Sequence, residues 1–250
     1  MNLYLETEGK KGQCDVTSLL LKYFNEHSIT NEHLIIFSDG CPGQNKNYLM
    51  IHFLYILVHV FRLFKSVKYI FPIRGHSYLP NDQDFALIGN LKNKHTVETP
   101  EEWEDLIKLA RKHPSPFEVK SITHDMFFDL KKALEPYFLK TCKPAMKIKT
   151  ARMIKIYQES PFVSVKYNFT GEWTRIHVRT KRPLPLELNF SPLYKAQIPL
   201  NPNKAKDIQR LKHFLSEPYK MIIYDKICEI VAEEGEDIDI DNEDVSGGEE

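Results

Sequence analysis

Cysteine is scarce in this chain and follows no pairing pattern. Cys14, Cys41, Cys142 and Cys228 include no CxxC pair. That spacing excludes the usual zinc signatures and a disulfide framework, and it suits a reducing compartment. No apolar run is long and clean enough for a membrane span. The best one, Tyr48 to Phe64, is interrupted by His52, His59 and Arg62 and reads as a buried helix. The first residues lack a basic stretch followed by an apolar run, so no secretory leader is expected. The Asn168-Phe-Thr170 sequon then means little. The expectation is a nuclear or cytoplasmic protein, not a secreted one, with no membrane partner. Internal repeats and a Ser/His/Asp arrangement are also absent.

Basic residues are missing from one end. Residues 229–250 hold eleven acids and no Lys or Arg. The other 228 residues carry all 34 Lys and Arg and only 23 acids, a net charge of +11 hidden within an overall charge of zero. The acidic end reads as a disordered, solubilising extension. A basic body with such an extension also suits a nucleic-acid binder that screens itself against loose contacts.

What is present can form a core: 42% of the residues are hydrophobic and 12% aromatic. The pattern predicts a strand over Asn2–Glu6 and a helix over Val16–Glu26 capped by Asp15. A buried strand over His33–Ser38 and an apolar helix over Asn47–Leu63 follow. Next come a strand over Ser66–Arg74 and a helix over Asp82–Leu91. Strands alternating with helices indicate an α/β sheet with parallel pairs. Thr99-Pro-Glu-Glu102 is a capping box with Pro at the first helical position. A further helix is expected over His124–Tyr137.

From Lys140 the character changes. Residues 140–182 hold eleven Lys and Arg against two acids, and Phe162–Thr180 reads as a hairpin turning near Thr170-Gly171. Alternation along its second strand puts Trp173, Arg175, His177 and Arg179 on one face, and Thr174, Ile176 and Val178 on the other. An aromatic beside a row of cations can hold a nucleic-acid backbone and stack on a base. It can equally be a solvated face with the Trp packed beneath it. Two amphipathic helices, about 204–215 and 218–231, complete the ordered chain.

The segment Ser38-Asp-Gly-Cys-Pro-Gly-Gln-Asn-Lys-Asn47 joins the predicted strand to the apolar helix. Together with Glu6-Thr-Glu-Gly-Lys-Lys-Gly12, Gly75-His-Ser-Tyr-Leu-Pro-Asn-Asp82, Asp84-Phe85 and Thr99-Pro-Glu-Glu-Trp103, it resembles a domain of unknown function. That domain occurs in many arthropod and other metazoan proteins derived from transposable elements. It is usually regarded as a transposase core of the ribonuclease H-like kind. The resemblance runs from about Leu3 to Cys228. It implies an α/β fold with a partial ribonuclease H-like core over 1–95 and a helical connection over 96–140. An α+β basic region over 141–228 and the acidic extension over 229–250 complete the expected organisation. On that alignment the chain starts at the third strand of the core, and the first catalytic acid lies upstream of Met1.

The resemblance also implies a site. Asp39 and Asp82 match two acidic positions that hold Mg²⁺ or Mn²⁺ for phosphodiester chemistry, and His76 follows the fifth strand where it could face them. Gly89 stands where many relatives carry Glu, so two acids remain where three are usual. Catalysis is therefore expected to be absent or to need a missing segment. By themselves the residues also allow plainer roles, with Asp39 as a turn residue and Asp82 as a helix cap. Gln44, Asn45, Lys46 and Asn47, at a helix start, could position a phosphate or simply cap the helix. The expected partner is a DNA, or RNA, backbone. An open sheet edge beside Asp39 would also invite a protein partner or self-association.

Overall fold

A computed structural model describes residues 1–73, 75 and 79–231. His76 and the acidic extension from Ala232 onward lie outside the described residues. In chain order the elements are β1 (Asn2–Leu3), α1 (Gln13–Glu26), β2 (His33–Phe37), α2 (Tyr48–His59), β3 (Ser66–Ile70), α3 (Pro80–Lys92), α4 (Pro100–Leu109) and β4 (Lys120–Ser121). Then follow α5 (Leu130–Leu134), β5 (Phe138–Lys143), β6 (Met153–Tyr157), β7 (Val163–Lys166), β8 (Thr174–Arg179), α6 (Pro202–Leu211) and α7 (Pro218–Cys228). The described chain forms two compact units. One comprises residues 1–10, 79–126 and 194–231, and the other residues 11–73 and 127–193. No helix among the described residues is long and apolar enough to cross a membrane.

The larger unit is built on a six-stranded mixed sheet in the order β2-β3-β6-β7-β8-β5. The β2–β3 pair is parallel, as a helical crossover requires, and the remaining pairs are antiparallel. Helix α2 is apolar nearly all round and is accordingly buried, with Ile51, Phe53, Leu54, Ile56, Leu57 and Val58 fully enclosed. It packs on the face that β3, β6, β7 and β8 present through Val67, Tyr69, Ile154, Ile156, Val163, Val165, Ile176 and Val178. The second layer is completed by α1 and α5. Asp15 does not cap α1 from outside. It sits in the first turn, buried, and its carboxylate accepts from the Gly12 N–H at 3.0 Å.

Three expectations change here. β2 lies at an edge of the sheet, as the open edge expected beside Asp39 requires, but its apolar run is not buried, with Ile35 58% and Phe37 54% exposed. A run of apolar residues cannot by itself distinguish a strand covered on both faces from one covered on a single face. The helix expected over 124–137 is broken into a 3-10 turn at His124–Met126, the short α5 capped by Asp129, and a 3-10 turn at Glu135–Tyr137 that contains Pro136. Finally, β1 is not a strand of the six-stranded sheet. It pairs in parallel with β4, and the sheet instead takes its other strands from residues 138–179.

The smaller unit has its own core, formed by Ile88, Leu106, Ile107 and Phe117 with Leu3, Leu91 and Trp103 against them. Its helix start at Thr99 matches the sequence. The Thr99 hydroxyl accepts from the Glu102 N–H at 3.2 Å, and the Glu102 carboxylate accepts from Thr99 N–H at 3.3 Å and Glu98 N–H at 2.7 Å. Lys220, from α7, is buried between Glu98 (2.5 Å) and Glu102 (2.6 Å), tying α7 to that helix start. Glu8 is held by the Gln197 side-chain amide at 2.5 Å and by His124 through its backbone N–H at 2.7 Å and its Nδ1 at 2.9 Å. Burial acts to raise the Glu8 pKa, but these hydrogen bonds from Gln197 and His124 hold it below the ordinary carboxylate value.

Candidate nucleic-acid interface

The Ser38–Asn47 loop leaves the carboxyl end of β2 and winds into α2, and its polar side chains hold the loop itself. Asp39 is exposed, and its Oδ1 accepts from the Asn45 side-chain amide at 2.6 Å and from the Cys41 N–H at 3.3 Å. Asn47 is the N-cap of α2. Its Oδ1 accepts from the Met50 N–H at 2.8 Å while its amide donates to the carbonyls of Pro42 and Gln44. The Ser38 and Tyr69 hydroxyls lie 2.7 Å apart, and Tyr69 donates to the Asn45 carbonyl at 2.9 Å. Gln44 is half-buried in the same loop.

Lys46 differs from its neighbours. It is 92% buried, and among the described residues it makes no ion pair. Its Nζ lies 4.7 Å from the centroid of the Phe71 ring. Burial, and secondarily the Arg152 guanidinium, lower its pKa. The carboxyl ends of β2 and β3 thus carry two cations, Lys46 and Arg152, close enough to repel each other.

Asp82 belongs to the other unit. There it sits in the first turn of α3, and its Oδ2 accepts from the Leu79 N–H at 2.8 Å. Among the described residues no group of three or more His, Cys, Asp or Glu side chains is placed to hold a metal ion.

A row of cations lies on the face of the six-stranded sheet opposite α2. The hairpin forms as its alternation requires, with β7 and β8 antiparallel and Val163 facing Ile176. Arg175 and His177 point to solvent while Ile176 and Val178 are fully buried. The register then aligns residues that lie far apart in sequence. One row across the sheet reads Ile35, Lys68, Lys155, Ser164, Arg175, and a parallel row reads Phe37, Ile70, Met153, Lys166. Trp173, at the start of β8, has Lys155 Nζ at 4.7 Å and Lys166 Nζ at 5.1 Å over its ring. Trp173 is half-buried, and Tyr157 adds an exposed ring, with Lys155 Nζ at 5.8 Å. Among the described residues none of Lys68, Lys155, Lys166 and Arg175 makes an ion pair. Lys68 and Lys155 stand directly opposite each other on paired strands, an arrangement of like charges that costs stability.

Arg179 does not join this row. Its guanidinium lies against the Tyr55 hydroxyl, near His59 of α2, with its Nε buried and without a hydrogen-bond partner among the described residues. Period-two alternation placed Trp173, Arg175 and His177 correctly within one strand. Lys68, Lys155 and Lys166 were missed because they join the site only through register between strands. The available signal was the same alternation in Ser66-Val-Lys-Tyr-Ile70, Met153-Ile-Lys-Ile-Tyr157 and Val163-Ser-Val-Lys166.

No curated protein and no solved structure matches the chain. Residues 2–169, which span both the Ser38–Asn47 loop and most of the basic sheet, match the model of a family described as a domain of unknown function (DUF7869), and the chain belongs to that family.

Proposed function

We propose that the chain is a nucleic-acid-binding protein, and that the open face of the six-stranded sheet is its binding surface. The observation that carries this reading is the row of Lys68, Lys155 and Arg175, flanked by Lys166 and Trp173, with no acid among the described residues paired to any of the cations. Cations aligned across a sheet at strand spacing suit a phosphate backbone, and rings set among them suit unstacked bases. A flat sheet face with aromatics favours single strands over a duplex, whose bases are already stacked. Lys46 and Arg152 extend the positive potential to the carboxyl ends of β2 and β3. Asp39 serves in this reading to hold the loop through Asn45 and Cys41. The reading contains no catalytic step.

The test is the anisotropy of a labelled single-stranded oligonucleotide, titrated at several salt concentrations with the full chain. Affinity should fall steeply as salt rises. The double variant Lys155→Ala/Lys166→Ala should reduce the slope of log affinity against log salt by about 1.4, roughly 0.7 for each phosphate of a single strand left without its lysine. Quenching of Trp173 fluorescence should follow the same isotherm and should vanish in Trp173→Leu, leaving only the Trp103 signal. Binding that is indifferent to salt, or a double variant with the slope of the parent, would overturn the proposal. DNA, RNA and duplex arms of the experiment rank the substrates.

A further inference from the structure

We infer that β2 is a homodimerisation edge, pairing antiparallel with β2 of a second copy about a two-fold axis through Ile35. The backbone leaves the edge open. Ser38 N–H donates to the Ile70 carbonyl and the Glu32 carbonyl accepts from Lys65 and Ser66, so the even-numbered residues of this strand bond to β3. By alternation, His33, Ile35 and Phe37 direct their N–H and C=O groups away from the sheet. Within β2 there is no Lys, no Pro and no bulge to blunt the edge, and among the described residues no strand pairs with its outer side.

The side chains are what select a second copy. Ile35 and Phe37 are more than half exposed, and His33 is exposed beside them on the same face. In an antiparallel pair centred on Ile35, Ile35 faces its own copy and Phe37 faces His33 of the partner chain. Each of these pairs exchanges both backbone hydrogen bonds and makes an apolar or ring-to-ring contact. The flanking positions also tolerate the pairing. Asp39 faces Asn31 and Glu32 faces Ser38, so no like charges meet, and Glu32 is already paired with Lys65 of its own chain at 2.5 Å. The strand is therefore self-complementary in hydrogen bonding, in apolar contact and in charge. A two-fold axis perpendicular to the sheet keeps the faces aligned, so the dimer has one continuous twelve-stranded sheet with both rows of cations on the same side. The dimer stands whether or not that face binds nucleic acid. A contact this short gives a weak dimer that depends on concentration.

Sedimentation velocity over a hundredfold range of concentration should show the full chain passing from monomer to dimer. Ile35→Lys should remain monomeric throughout, with an unchanged circular dichroism spectrum, because the side chain is exposed. Register has its own readout. In a Cys41→Ser/Cys228→Ser background, Ile35→Cys should cross-link to itself under mild oxidation, since opposed residues in such a pair lie within disulfide reach. Leu34→Cys should not, because the pairing sets it opposite Ile36. A chain that stays monomeric at all concentrations would overturn the inference. So would an Ile35→Lys variant that still dimerises, or cross-linking as efficient at 34 as at 35.

Discussion

Lys68 and Lys155 face each other across the β3–β6 pair, and among the described residues no acid pairs with either. Opposed like charges on neighbouring strands cost roughly 0.2–1 kcal/mol. If the face exists to hold an anion, relieving that repulsion should stabilise the fold and weaken binding together. Lys68→Thr should raise the urea midpoint by the equivalent of about 0.5 kcal/mol and lower oligonucleotide affinity severalfold at low salt. A variant that neither gains stability nor binds more weakly would remove Lys68 from the site. A second residue-scale effect lies in α2. His52 stacks on Phe138 at 4.0 Å between ring centroids, its Nε2 is buried without a hydrogen-bond partner among the described residues, and burial lowers its pKa to about 3. His59 stacks on Tyr55, and burial together with the Arg179 guanidinium lowers its pKa to about 4. Both are neutral in the fold, whereas the unfolded chain protonates them below about pH 6.5. The unfolded state therefore binds more protons, and stability declines as pH falls from about 6.5 toward 3. His52 alone contributes about 1.4 kcal/mol per pH unit within that window. His52→Phe should flatten the decline, leaving the variant ahead by about 2–3 kcal/mol at pH 4.5 once the two are matched at pH 7.5. Parallel curves of urea midpoint against pH would contradict this account. Neither histidine could be placed from sequence beyond its membership of an apolar helix, because burial of one ring nitrogen depends on the neighbours that tertiary packing supplies.

At the scale of elements, local chemistry was the most legible. The Thr99-Pro-Glu-Glu102 signature requires only four residues to be satisfied, and α4 begins where it indicates. The hairpin of β7 and β8 also forms from adjacent sequence. Thr99→Ala removes the acceptor for the Glu102 N–H and should cost about 1 kcal/mol, read as a lower midpoint of urea unfolding. Lys220→Met should also lower that midpoint, because it leaves Glu98 and Glu102 facing each other without their cation. A midpoint unchanged in both variants would mean that this helix start is not held as the structure implies. The errors of the sequence reading share a cause. The run Leu34-Ile-Ile-Phe37 looked buried because its composition is apolar, yet alternation exposes Ile35 and Phe37 on the sheet face that α2 does not cover. The Phe- and Leu-rich stretch from His124 to Tyr137 has helical composition, but Asp129 and Pro136 divide it into short turns. Burial depends on what packs alongside, and that information is not contained in the segment itself.

Across the whole molecule, the sequence reading separated a first α/β segment from a later basic hairpin, whereas one sheet contains both. The β3–β6 pairing joins residues 66–70 to residues 153–157, and no local signal announces a partner some ninety positions away. That pairing also brings scattered lysines into one row, so charge becomes a property of the fold rather than of a motif. The same reasoning reaches the acidic end of the chain through electrostatics alone. The first 228 residues carry a net +11 and residues 229–250 carry −11, so the complete chain is neutral at long range. Oppositely charged groups on one chain compete with phosphates for the same cations, and the competition is screened by salt. Removing residues 232–250 deletes ten acids and leaves every basic residue in place. The shortened chain should bind a single-stranded oligonucleotide several times more tightly than the full chain at low ionic strength. The gap should close as the screening length falls from about 10 Å at 0.1 M salt to about 3 Å at 1 M. Anisotropy titrations of both chains across that range decide the matter. An equal affinity at low salt would mean that local contacts alone govern binding, and a gap that persists at 1 M would point to a contact not electrostatic in origin.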